Sequence, residues 1–221
     1  MIPRELLGTA IVPGGGDELR LVRRGKDFMI LLNRNELMNS RMGGSEEALA
    51  TMTIERLGNR DSHVLIGGYG MGFTLRASCA ALSARGKITL VEVVPEIVSW
   101  AKLYMAELTG GCLDDPRVEL VIGDVADAIR GGTYDAILLD VDNGPDGLTR
   151  SANDRLYSAA GLAAAKAALR PGGILAVWSA APDRHFTRRL SEAGFAVDEV
   201  TLAARANGKG PRHTIWFAKR S

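Results

Sequence analysis

Cysteine is scarce in this chain: Cys79 and Cys112 are the only two among 221 residues, and neither belongs to a CxxC pair. Two isolated thiols exclude a disulfide scaffold and fit a reducing compartment, so a cytoplasmic protein is expected. Cys79 lies in an apolar helical stretch and reads as packing. Charge of one sign is also lacking. Twenty-seven basic against 26 acidic residues leave a net charge of +1, without the basic stripe that nucleic acid demands. No window holds 18 consecutive apolar residues, and the opening M-I-P-R-E-L-L has neither the basic start nor the apolar core of a signal peptide. Neither membrane spanning nor secretion is expected. The three histidines, His63, His185 and His213, are scattered and read as structural, so no metal is expected. Repeats and low-complexity segments are absent. What remains is a length and apolar content suited to one sizeable core.

The most informative stretch is His63 to Ala77, H-V-L-I-G-G-Y-G-M-G-F-T-L-R-A. Val64 to Ile66 make the short apolar run of a buried parallel strand. Gly68, Gly70 and Gly72 then alternate before apolar residues at helical spacing. A strand that stops in glycines and restarts as a helix brings bare backbone N–H groups to a helix N-terminus, where a nucleoside can approach closely. One helix later, Lys87 to Val91 reads as a second strand ending in Glu92. An acid at that point, about 20 residues after the glycines, is placed to grip a ribose diol.

Upstream, residues 1 to about 40 read as strands, with segments at 19–22, 28–32 and 36–39, and Pro13 with Gly14 to Gly16 breaking the chain before them. We take 1–44 as a short β-rich appendage and 45–221 as a nucleoside-binding α/β domain. Ser45 is the expected N-cap of a helix to Leu57, with Glu46 and Glu47 in its first turn. Strands are expected near 63–67, 87–92, 117–122, 134–140 and 173–179. Helices are expected near 72–84, 95–109, 124–130, 153–169 and 182–193. That alternation implies a parallel sheet with helices on both faces. Phe195–Leu202 and His213–Ala218 are joined by a loop too short for a crossover helix, so they should close the sheet edge as an antiparallel hairpin. The hairpin argues against a nicotinamide dehydrogenase, whose fold would continue βαβ.

In a parallel sheet ligands bind beyond the carboxyl ends of the strands. Here those ends carry the glycine stretch 68–72, Glu92, Gly123-Asp124, and Asp140-Val141-Asp142-Asn143. Asp124 suits either the N-cap of the following helix or the adenine amino group. The order G-x-G-x-G, Glu, Gly-Asp, Asp, followed by a hairpin, resembles the class I S-adenosylmethionine-dependent methyltransferase fold. Within it the chain is similar to the spermidine synthase (aminopropyltransferase) family. The likeness runs from Gly68 through Thr74-Leu75-Arg76, Asp115-Pro116-Arg117-Val118 and Tyr134–Asp140 to Leu156-Tyr157-Ser158 and Leu169–Ile174.

The resemblance implies a Rossmann-like sheet and a cofactor that is S-adenosylmethionine or a related adenosyl nucleoside, such as its decarboxylated form or methylthioadenosine. It also implies a small-molecule acceptor and a homodimer. The cofactor residues it implies are Gly68, Tyr69, Gly70, Met71, Gly72, Glu92, Val93, Gly123, Asp124, Val125 and Asp140. Asp140 becomes the catalytic base, with Asp142 as its nearest acidic support. Two nearby acids push one pKa upward, which suits a base near neutrality. The acceptor residues are Ser45, Glu46, Asn143 and Trp178.

Departures from the family pattern fall mostly on the polyamine side. Met71 replaces an Asp, Ser45-Glu46 replaces a Tyr-His pair, Trp178 replaces a Gln, and Asn143 replaces an acid with the proline shifted to Pro145. These departures give the expectation of an S-adenosyl-nucleoside-dependent transferase, methyl or aminopropyl, that is not a genuine putrescine aminopropyltransferase. The alternative is a nucleoside-binding or oligomerising protein that has kept the fold without turnover.

Overall fold

The computed structural model describes residues 2–141 and 151–221, the side chains of 151–153 excepted. A four-stranded antiparallel sheet comes first: β1 (Glu5–Ile11), β2 (Glu18–Arg24), β3 (Asp27–Leu32) and β4 (Asn35–Asn39), paired in that order. The sequence reading anticipates the last three strands individually and not β1. Gly8 interrupts β1 at a register shift, and a Cβ there would overlap the Trp100 indole. An irregular strand packed on an aromatic ring lacks the clean alternation that marks strands in sequence.

Helix α1 (Gly44–Leu57) then leads into the main sheet. The units that follow are β5 (His63–Gly67), α2 (Phe73–Ala81), β6 (Lys87–Glu92), α3 (Pro95–Tyr104), α4 (Ala106–Thr109), β7 (Val118–Ile122), α5 (Val125–Gly131) and β8 (Tyr134–Leu139). The chain ends with α6 (Ser151–Tyr157), α7 (Ala159–Ala168), β9 (Leu169–Ser179), α8 (Arg184–Glu192), β10 (Phe195–Ala203) and β11 (Arg212–Arg220). Two helices expected to be continuous are each divided. Met105, fully buried and non-helical, separates α3 from α4. Ser158 ends α6 and caps α7 by accepting from the Gly161 N–H at 3.1 Å.

The seven strands run in the order β10-β11-β9-β8-β5-β6-β7. Strands β5 to β9 are parallel, and β11 lies antiparallel between β9 and β10. This is the α/β architecture expected, hairpin included. The chain winds outward from β5 through β6 to β7 and returns to β8 on the opposite side, which opens a crevice at the carboxyl ends of β5, β6 and β8. The apolar strands meet there: Val64–Ile66 and Ala136–Leu139 are essentially inaccessible to solvent. The N-terminal sheet joins the same core, with Leu19, Leu21 and Ile30 packed in one cluster with Ile97, Trp100 and Met71.

One of the motifs behind the family resemblance, Asp115-Pro116-Arg117-Val118, has structural work in this frame. Arg117 pairs with Asp115 at 2.6 Å and donates to the carbonyls of Cys79, Leu82 and Ser83 at the end of α2. The Arg117 hydrogen bonds hold the Asp115 carboxyl down at about 2. Cys79 is half-buried and unpaired, and burial pushes its thiol up to about 12, which suits packing better than reactivity.

Candidate active site

The glycine stretch turns because β5 must reverse into α2 within a few residues. Gly68 has φ +88, and a Cβ there would strike the Asp140 carbonyl. Gly72 has φ +79 and stands at the N-cap of α2. A Cβ on Gly72 would meet the Tyr69 ring and Thr109, so its need for glycine is steric, and it lines neither cavity described below.

The first cavity lies where the sequence places a nucleoside crevice. Gly68, Gly70, Glu92, Val93, Gly123, Asp124, Val125 and Asp140, all anticipated from sequence, line it. Its far wall comes from the N-terminal sheet, including Leu19, Leu37 and Met38. Glu92 is buried (5% exposed) and accepts from the Tyr69 N–H at 2.8 Å and the Val94 N–H at 2.9 Å. It thus fastens the glycine loop to the end of β6 while still facing the crevice. Burial raises its pKa, and the backbone N–H groups oppose that rise. Asp124 takes the capping role: Oδ1 accepts from the Ala126 N–H at 2.9 Å, and Oδ2 pairs with Arg155.

The second cavity shares Gly70 and Asp140 with the first and extends toward α1 and the hairpin. Glu46 and Trp178, expected on the acceptor side, line it; Tyr69 and Met71, expected with the cofactor, line this cavity and not the first, and Asn39 and His213 join them. Asp140 receives a 2.7 Å hydrogen bond from the Thr74 hydroxyl, which gives the Thr74-Leu75-Arg76 motif a direct purpose. The acid facing Asp140 is Glu46. Burial and the nearby Asp140 charge raise Glu46 well above the usual carboxylate range, and burial raises Asp140 as well. Asp142, the support expected from sequence, and Asn143 and Pro145 lie outside the described residues.

Ser45 is not the N-cap of α1; Gly43 is, without a side-chain bond. A Cβ on Gly43 would overlap Phe73, and one on Gly44 would strike the backbone at Arg205 and Ala206. The helix start is thereby wedged between α2 and the loop after β10, so Ser45 is carried inside. Its hydroxyl, fully buried, meets Glu46 Oε2 at 2.6 Å, His213 Nδ1 at 2.8 Å and the donating Trp178 Nε1 at 3.0 Å. His213 was read as structural, and its place in this cluster is missed from sequence. The Gly43-Gly44 pair ahead of the helix is the signal that marks the close approach. His63, by contrast, is a packing residue, bonded to Thr89 at 2.9 Å and edge-on to Tyr134.

Known proteins resemble this chain in sequence and in fold. The family model for the spermine/spermidine synthase domain matches residues 43–189. A polyamine aminopropyltransferase 2 of Hyperthermus butylicus is 34% identical over 146 residues, covering 63% of this chain and 43% of that protein. A polyamine aminopropyltransferase of Mycobacterium tuberculosis is 28% identical over 191 residues, covering 81% of this chain and 35% of that protein. The chain therefore spans less than half the length of these curated relatives. In fold it matches the spermidine synthase of Thermotoga maritima with a TM-score of 0.76 at 20% identity, over 98% of this chain and 73% of that one. A spermidine synthase in complex with the transition-state analogue AdoDATO matches with a TM-score of 0.79 at 20% identity, over 98% and 74% of the two chains. With two thirds of its length matched by the family model and its sheet order that of the methyltransferase-like fold, the chain belongs to the spermine/spermidine synthase family.

Proposed function

We propose that this chain transfers an aminopropyl group from decarboxylated S-adenosylmethionine to a small amine. The observation that carries this reading is the pair of carboxylates, Glu46 and Asp140, on one cavity continuous with the nucleoside crevice. Two acids in a half-buried site are poorly solvated and mutually repelling, a combination that a cationic amine relieves. The absence of an Asp at Met71 argues from sequence against the decarboxylated donor. Glu46, reaching the same cavity from α1, supplies a carboxylate there and weakens that objection. The names of the curated relatives also favour aminopropyl over methyl transfer. They lend no support to the expectation that putrescine is excluded, so putrescine belongs among the acceptors to be tested.

In this reading Glu92 contacts the ribose and the glycine loop lies along the sugar and sulfonium. The appendage 1–44 forms the far wall over the α/β domain. The acceptor enters as an ammonium and gives its proton to Asp140. The freed nitrogen lone pair then attacks the methylene carbon next to sulfur; the C–N bond forms as the C–S bond breaks, leaving methylthioadenosine. The sulfonium is already a good leaving group, so alignment and proton removal are what the protein must provide. Mass spectrometry of products from an amine panel, with each donor in turn, tests this. Methylthioadenosine and an aminopropylated amine are expected. Release of S-adenosylhomocysteine with a methylated acceptor would replace the proposal with methyl transfer.

A further inference from the structure

Ser45 presents a hydrogen-bond count that can be closed in few ways. A hydroxyl has one proton to give and two lone pairs to fill. Trp178 Nε1 can only donate, so it occupies one lone pair at 3.0 Å. Glu46 Oε2 at 2.6 Å and His213 Nδ1 at 2.8 Å share what is left, one proton and one lone pair. An ionised Glu46 cannot donate and must receive the Ser45 proton. The remaining lone pair then faces His213, which must carry its own proton on Nδ1. Ionised Glu46 and Nδ1-protonated His213 are therefore one state, and a bare Nδ1 requires a proton on Glu46 Oε2.

From this geometry we infer that Ser45, Trp178 and His213 are positioning residues that hold Glu46 as the ionised anchor for an ammonium group of the acceptor. The inference rests on the amine-acceptor reading for the identity of the cation, and on geometry alone for the coupling. Two N–H groups, from Trp178 and His213, fill the lone pairs of Ser45, whose proton fixes Oε2. The carboxylate is thus oriented before a ligand arrives, which reduces the ordering needed on binding. Trp178 and His213 brace each other edge to face, with ring centres 4.7 Å apart, so neither ring is free to turn away from Ser45.

The charged groups facing Glu46 are Asp140 beyond β8 and Glu47 on its own helix, and Glu47 is paired with Arg76 of α2. Burial alone lowers the pKa of His213, so the ring is neutral over most of the range in which Glu46 titrates. The tautomer of His213 thus reports the state of Glu46 without a change in ring charge.

Nitrogen-15 NMR of histidine-labelled protein, over a pH series from about 5 to about 9, tests this directly. The His213 signals are assigned by their loss in His213→Phe. On the alkaline side, where Glu46 is ionised, the wild-type ring is expected in the Nδ1–H form. Ser45→Ala should return it to the Nε2–H form that an unpartnered imidazole favours. An Nε2–H ring in the alkaline wild type, or an Nδ1–H ring that persists in Ser45→Ala, would overturn the inference. Kinetics with putrescine and its monoamine analogue butylamine supply the second arm. Ser45→Ala and His213→Phe should raise KM for the amine several-fold, most strongly on the acid side, with kcat at saturation nearly unchanged. A fall in kcat at constant KM would contradict the anchoring role. Because the NMR arm needs no substrate, the tautomer result stands even if neither amine turns over, and failure of the amine reading is then seen separately.

Discussion

The two halves of the site are built on different principles. In the half assigned to the nucleoside the polar groups are tied to backbone N–H groups at the strand ends: Glu92 to Tyr69 and Val94, Asp124 to Ala126. In the half assigned to the acceptor they are tied to one another across the fold: Ser45 joins Glu46 on α1 to Trp178 of β9 and His213 of β11, which meet only in three dimensions. The first arrangement is constrained by strand-to-helix geometry. The second is free to change as long as its members still satisfy each other, and it is where this chain departs from the family pattern.

The comparison breaks most visibly at Asp140, the acid common to both cavities. Asp140→Asn preserves the shape and can still accept the Thr74 hydrogen bond, but it cannot take a proton. Turnover should fall by about 10²–10⁴-fold while nucleoside affinity barely moves. Steady-state kinetics beside calorimetry check this, and wild-type turnover in the variant would move the base elsewhere, with Glu46 the next acid on the cavity. Glu92→Ala should weaken adenosyl ligands by about 1.5–3 kcal/mol, through the lost ribose contact and the released loop. Glu92→Gln should be little better, since its amide donor would face the Tyr69 or Val94 N–H. Calorimetry that finds unchanged affinity in folded Glu92→Ala removes the ribose assignment.

The smallest effect is read through stability, where Glu46 is one of three acids among the described residues, with Asp140 and Glu92, whose pKa values burial raises. Glu46 and Asp140 both have raised pKa values in the folded chain, so the folded state holds more protons than the unfolded one above the ordinary carboxylate range. Stability from these groups is full below their unfolded pKa values and is lost as pH rises through the raised ones. Without ligand, melting temperature should decline across that window, and Glu46→Gln should flatten the decline by a few degrees. A parallel pH profile for wild type and variant, in differential scanning fluorimetry, would show that Glu46 is not buried as described.

The same contrast explains what could be read from sequence. The parallel strands, the hairpin and many of the residues lining the first cavity were legible because each is announced locally: Val64–Ile66 followed by alternating glycines, Glu92 at a strand tip, Gly123-Asp124 before a helix. Local patterns also misled. Ser45 stands where an N-cap belongs, yet Gly43 and Gly44 let the helix start sink until the hydroxyl is buried. His213 lies in an edge hairpin, 168 residues from its partner, with nothing nearby to mark it. Strand β1 was hidden by Gly8, whose value to the fold is the Trp100 ring against it. Contacts made across the fold leave a signature in sequence only when they force a glycine, and that signature does not name the partner.

The separability of the two halves is tested most directly by calorimetry with methylthioadenosine, which carries the nucleoside and neither the sulfonium charge nor the transferred chain. Methylthioadenosine should bind the wild type and Glu46→Gln with equal affinity, and Glu92→Ala about ten-fold or more weakly. If Glu46→Gln weakens methylthioadenosine as much as Glu92→Ala does, the site is one coupled unit and the division drawn here is wrong.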